Sequence, residues 1–156
     1  MMSNNLHGTA IIVADHGIFI RGDSGTGKTA LALELLSRAF NAGLYARLVA
    51  DDQLFAAQHD GRLVLTAPDP IAGLVEIRGH GPSPIAYQRQ AVIDLVVTLV
   101  APAQAERLPD PAFATVCAVK VPELRLAAKS TVNAASACAA WVGIGLFDAV
   151  HMRQNG

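Results

Sequence analysis

The chain has 156 residues, of which 52% are hydrophobic and 16% charged, with a net charge of −1. That length can bury a core without disulfide or metal staples, and the composition is that of a folded protein rather than a disordered one. The near-neutral balance excludes the electrostatic footprint of a nucleic-acid or acidic-membrane binder. Cys117 and Cys138 form neither a disulfide framework nor a zinc spacing, which suits a reducing compartment. Residues 1–5 carry no basic segment leading into an apolar run, so no signal peptide is expected. The apolar stretches 91–101 and 134–150 fall short of the ~20 residues of a spanning helix. The reading is one soluble, cytoplasmic α/β domain over residues 1–156.

In chain order, residues 9–14 and 18–21 read as strands across the turn Asp15-His16-Gly17, a hairpin. It delivers the chain into Gly22-Asp23-Ser24-Gly25-Thr26-Gly27-Lys28-Thr29. That stretch matches G-x-x-x-x-G-K-[ST], the phosphate loop of P-loop proteins. The context fits, because Ile18-Phe19-Ile20 precedes it as a strand and residues 30–36 follow as strong helix formers. Glycines let the backbone approach a ligand closely. Loop N–H groups and the helix N-terminus then face the phosphates together. Lys28 supplies a mobile positive charge, and the Thr29 hydroxyl can sit on a magnesium ion. The helix should run from Gly27 to about Phe40, with Gly43 as a left-handed cap.

Residues 45–50 read as a short buried strand ending in Asp51-Asp52. A strand–helix–parallel strand order would place both aspartates at a carboxyl edge, beside the phosphate loop. There one carboxylate can hold magnesium or its water and another can take the acceptor's proton. Adjacent residues of an extended chain point to opposite faces, so the two should divide these roles. His59-Asp60-Gly61 signals a second hairpin between residues 53–58 and 62–67. Residues 74–78 read as a strand in which Glu76 needs a partner, either Arg78 or a metal. Gly79-His80-Gly81-Pro82-Ser83-Pro84 is loop by composition, a candidate substrate-contacting segment. Residues 92–100 have the β-branched run of a central strand, with Asp94 satisfied locally. Residues 113–121 and 124–127 read as strands, and residues 130–150 as an alanine-rich helix weakened by Gly143 and Gly145. His16, His59, His80 and His151 show no metal-ligand spacing, and His7 is ambiguous from composition alone.

These blocks together resemble the catalytic domain of the HPr kinase/phosphorylase family. The resemblance is carried by Leu6-His7-Gly8, the loop at 22–29, Val49-Ala50-Asp51-Asp52 and Val75-Glu76-Ile77-Arg78-Gly79-His80-Gly81. The last is similar to the family's E-I-R-G signature. It covers the first half of the chain closely and the second in outline, without the family's separate N-terminal domain. The fold it implies is a P-loop kinase-like domain, a mixed sheet with flanking helices and hairpins. It implies ATP at residues 22–29, Lys28 on the transferred phosphate, and Thr29 and Glu76 near magnesium. Either Asp51 or Asp52 would be the base, assisted by His7, with Arg78 shaping the site. It also implies an HPr-like phosphocarrier as protein substrate, phosphate or pyrophosphate in the reverse reaction, and a homo-oligomer, a hexamer in the family. Three departures stand out. The segment around residues 38–47 is longer than the family's, lengthening the helix and its exit turn. The family's C-terminal basic residue has only Arg125 or Lys129 as counterparts, and its phosphorolysis segment is not recognisable in residues 130–156. The alternatives are a P-loop small-molecule kinase, against which stands the lack of an arginine-rich lid, and a non-catalytic nucleotide sensor.

Overall fold

The computed structural model describes residues 4–144. Strand β1 (Asn4–Val13) turns through Ala14 and Asp15 into the antiparallel β2 (His16–Gly22). Helix α1 (Lys28–Asn41) follows. Strand β3 (Ala46–His59) lies antiparallel on the other edge of β1 and hairpins into β4 (Arg62–Thr66) through Asp60 and Gly61, both at positive φ. Strands β5 (Leu74–Ile77) and β6 (Gly81–Pro84) form a separate two-stranded sheet. Strand β7 (Gln90–Val100) is the hub. It pairs with β4, runs parallel to β2, and runs parallel to β9 (Val119–Ala127), which β8 (Ala112–Val116) flanks. The β2–β7 pairing closes β1, β2, β3, β4 and β7 into a ring. Helix α2 (Thr131–Val142) packs on α1.

The period-2 alternation of the strands divides the core in two. Ile11, Val13, Ile18, Ile20, Leu95, Val97 and Leu99 join Leu31, Leu35 and the small residues Ala134, Ala135 and Cys138 under the helices. Ala10, Ile12, Phe19, Leu54, Leu65, Ile93 and Val96 form the second cluster. Strands buried on both faces are nearly continuous apolar runs, which is why residues 9–13 and 92–100 read so clearly. Each of the buried leucines of α1 contributes about 1.5–3 kcal/mol. The helix ends as its glycine requires: Gly43 sits at φ 74 and donates to the Phe40 carbonyl, while Leu44 donates to Ala39. No described helix is long and apolar enough to cross a membrane.

Five expectations are corrected. Asp51 and Asp52 do not end a strand, because the alternation resumes at the buried Leu54 and Ala56 and β3 continues to His59. Nor does β3 lie directly beside the strand that enters the phosphate loop, since β1 is inserted between them. Two-thirds of the segment 79–84 is strand, because Gly81–Pro84 pairs with β5 even though its prolines and glycine carry loop composition. The stretch 113–121 contains a turn at Cys117 and Ala118, both left-handed without the glycine or asparagine that would announce it. Helix α2 stops at Val142 because Gly143 takes φ 89. The remainder of the expected helix, like His151, lies outside the described residues.

Candidate active site

The phosphate loop begins where β2 ends. Gly22 takes φ 158, and a Cβ there would lie 2.9 Å from the Leu99 carbonyl oxygen and 2.9 Å from Thr26 Oγ1, so the loop mouth is packed against β7. Thr26 Oγ1 donates to the Asp23 carbonyl at 2.7 Å, folding residues 23–26 into a turn. Gly27 enters α1 in the left-handed conformation, with no side-chain cap and no acidic residue in the first turn. The first N–H groups of the helix thus carry no side-chain cap, the arrangement that attracts an anion. Lys28 Nζ donates to the carbonyl oxygens of Gly22 at 2.9 Å and Asp23 at 3.0 Å.

The aspartates take different partners. Asp51 Oδ1 accepts from Thr29 Oγ1 at 2.9 Å and from Thr9 Oγ1 at 2.8 Å. Thr9, 1% exposed, is the one fully buried polar residue among those described, and sequence reasoning missed it. Its only signal was a hydroxyl in an otherwise apolar strand, two residues after His7. Asp52 is largely exposed, with its Oδ1 3.8 Å from His7 Nδ1. The expected separation onto opposite strand faces does not occur. By alternation Asp52 would join Ala50 and Leu54 facing the second cluster, but its φ of 82 interrupts the pattern. His7 and Thr9 share a face of β1, so the carboxylates are divided by partner instead. Asp tolerates this left-handed conformation better than most residues. Gly8 makes the arrangement possible, because a Cβ there would meet Phe19 Cε2 at 2.5 Å and the Ile20 carbonyl oxygen at 2.6 Å.

The remaining candidates are less gathered. Glu76 and Arg78 are exposed and form no ion pair among the described residues, so the expected need of Glu76 for a partner falls away. Their hairpin packs on β3 through Val75 and Ile77, and its own side-chain polar contacts are Ser83 Oγ with His80 Nδ1 at 3.1 Å and with the Gly81 carbonyl at 3.4 Å. Of the two C-terminal basic residues, Lys129 reaches the loop: its N–H donates to the Thr26 carbonyl at 3.0 Å, from a left-handed φ of 61. Arg125 stays on β9, opposite Thr98. Asp94 Oδ2 lies 3.4 Å from His16 Nδ1 without a hydrogen bond between them, at the far end of β2 from the loop, so the expected local partner of Asp94 is a neighbour only.

Among the described residues no group of three or more histidine, cysteine, aspartate or glutamate side chains gathers to hold a metal. The Thr29 hydroxyl and Asp51 carboxylate are hard oxygen donors at a helix N-terminus. That donor set suits magnesium, which uses one or two carboxylates and completes its shell with phosphate oxygens and water. No contact brings Glu76 to them.

A family model described as HPr Serine kinase C-terminal domain matches residues 1–144. The HPr kinase/phosphorylase of Clostridium tetani is 38% identical over 92 residues, 58% of this chain and 28% of that protein. That of Exiguobacterium sibiricum is 47% identical over 77 residues, 49% of this chain and 23% of that protein. The chain thus spans about a quarter of the length of the curated relatives it matches. The HPr(Ser) kinase/phosphatase from Coxiella burnetii superposes with a TM-score of 0.75 over 98% of this chain and 99% of that one. At 20% identity, this is a likeness of fold.

Proposed function

The chain belongs to the HPr Serine kinase C-terminal domain family, and from that premise we propose that it is an ATP- and magnesium-dependent serine kinase. Its acceptor is an HPr-like phosphocarrier protein, and it also runs the reverse phosphorolysis. In this reading residues 1–156 act as one cytoplasmic catalytic domain within a homo-oligomer. The observation that carries the proposal is the Thr29–Asp51–Thr9 hydrogen-bonded group beside a phosphate loop, with a second, exposed aspartate next to His7.

Residues 22–29 cradle the ATP phosphates with backbone N–H groups. The Lys28 ammonium, resting on the Gly22 and Asp23 carbonyls, is the charge that turns to the transferred phosphoryl oxygens. Thr29 and Asp51 would hold magnesium, which when bound neutralises phosphate charge. Asp52 is the base, exposed where a protein serine can reach it, with His7 orienting its carboxylate. The serine oxygen bonds to the γ-phosphorus as the bond to the bridging oxygen of ADP breaks, and the serine proton passes to Asp52. In reverse, phosphate oxygen attacks phosphoserine, yielding pyrophosphate, and the Asp52 proton returns to the serine. Glu76, Arg78 and the hairpin at 74–84 close the acceptor side, and Lys129, tied to the loop through its backbone N–H, is the candidate for the C-terminal basic residue.

The test is incubation with magnesium-ATP and an HPr-like carrier, alongside small alcohols without protein, followed by added phosphate. Phosphoserine on the carrier, removed when phosphate is added, is the expected result. Phosphorylation of an alcohol alone would make the protein a small-molecule kinase, and ATP binding with no transfer would make it a sensor.

A further inference from the structure

One partly buried ionic group lies just behind the phosphate loop and outside the roles above. Arg21, the residue before Gly22, donates from Nε to Thr98 Oγ1 at 3.0 Å and from Nη2 to Glu123 Oε2 at 3.0 Å. Thr98 donates to the same Glu123 oxygen at 2.7 Å. Three strands are tied at this point, β2, β7 and β9, through neighbouring registers: Arg21 opposite Thr98, and Val96 opposite Glu123. The Glu123 side chain is only 9% exposed. Burial pushes its carboxyl up, but the hydrogen bonds from Thr98 and Arg21, with the charges of Arg21 and Arg125, outweigh it and hold the pKa below the ordinary value. Glu123 is therefore an anion at neutral pH and Arg21 its counter-charge.

The two strands joined here both lead to the loop. Strand β2 enters it one residue after Arg21. Strand β9 runs on from Glu123 to Ala127 and is followed by Ala128, whose N–H donates to the Val100 carbonyl at 2.7 Å, and by Lys129, whose N–H donates to the Thr26 carbonyl. The loop is thereby suspended between two strand ends, with the ionic group just behind both. A change in spacing between β2 and β9 would alter the loop mouth and the approach of Lys129 together. Glycine-rich loops have little side-chain packing of their own, so their shape is set by what anchors their ends.

We propose that Arg21, Thr98 and Glu123 form a positioning cluster for the phosphate loop, holding its entry strand and Lys129 in the spacing that receives a nucleoside triphosphate. The inference rests on the kinase reading for the identity of the ligand, but its geometry does not depend on which acceptor is used. None of the three side chains touches the phosphates in this account. Their effect passes through the backbone of residues 22–29.

Two readouts test it. The first is affinity for a fluorescent ATP analogue in wild type, Glu123→Gln, Arg21→Gln and the double variant, at a temperature where circular dichroism finds each folded. Each single change is expected to weaken binding by roughly ten-fold, and the double by no more than the worse single, the signature of coupled partners. The second is hydrogen exchange at the Lys129 amide, expected to accelerate in Glu123→Gln. Thr98→Val keeps the volume and should shift both in the same direction by less, and it serves if Glu123→Gln folds poorly. Unchanged affinity and unchanged exchange, with only a lowered melting temperature, would overturn the proposal. Failure of the wild type to bind nucleotide would sink the kinase reading instead, leaving the cluster to be judged on the Lys129 exchange.

Discussion

The two sides of the candidate site are built differently. On the donor side four polar side chains are already engaged: Thr29 and Thr9 on Asp51, Lys28 on two loop carbonyls, and Thr26 on the Asp23 carbonyl. On the hairpin β5–β6, Glu76 and Arg78 project into solvent with no ion pair among the described residues. The difference follows from what each side would meet. A triphosphate has one shape, so a cradle pre-organised by internal hydrogen bonds loses little entropy on binding it. A protein acceptor arrives from outside and must find its groups exposed. Rigidity belongs to the donor, and accessibility to the acceptor.

Two substitutions of similar size probe this contrast. Thr9→Val removes a buried donor from a carboxylate and should destabilise the fold by about 1–3 kcal/mol, read from chemical denaturation. Arg78→Gln should change stability by less than about 0.5 kcal/mol, as surface changes do, while slowing phosphotransfer to a protein acceptor. Equal losses of stability at the two positions would erase the distinction drawn here. A smaller effect separates the cluster behind the loop from the rest. Because the Glu123 carboxyl is lowered in the folded chain, its contribution is fully present above the unfolded pKa. It fades as pH falls through the folded value, below the ordinary carboxylate range. The drop in melting temperature between pH 7 and acid should therefore be shallower in Glu123→Gln than in wild type. An identical acid slope would mean that Glu123 is not held as an anion.

Much of the frame was legible because it depends on local chemistry. The glycine loop between Ile20 and Ala30 named its own flanking strand and helix, and Gly43 announced the end of α1. Asp60-Gly61 fixed the β3–β4 turn. What stayed hidden depended on contacts far apart in sequence. The insertion of β1 between β2 and β3 cannot be read from either strand, and so the aspartates were placed at a strand end rather than mid-strand. The left-handed turn at Cys117 and Ala118 uses residues with no preference for it. Thr9 and Glu123 were invisible because their partners lie 42 and 102 residues away. That the backbone of Lys129, and not that of Arg125, meets the loop was visible only once its N–H was found on Thr26. Within the described residues, the helix expected over 130–150 ends at Val142, where the left-handed Gly143 offers a C-terminal cap.

The central claim is that one aspartate holds the donor's metal and the other takes the acceptor's proton. Asp52→Asn and Asp51→Asn, compared for nucleotide affinity with magnesium and for transfer to the carrier, test it most directly. The account predicts that Asp52→Asn keeps nucleotide affinity and loses roughly 10²–10⁴-fold in transfer, the range of a missing general base, whereas Asp51→Asn weakens magnesium-dependent binding itself. Near-normal transfer by Asp52→Asn, or full magnesium-dependent affinity in Asp51→Asn, would contradict it.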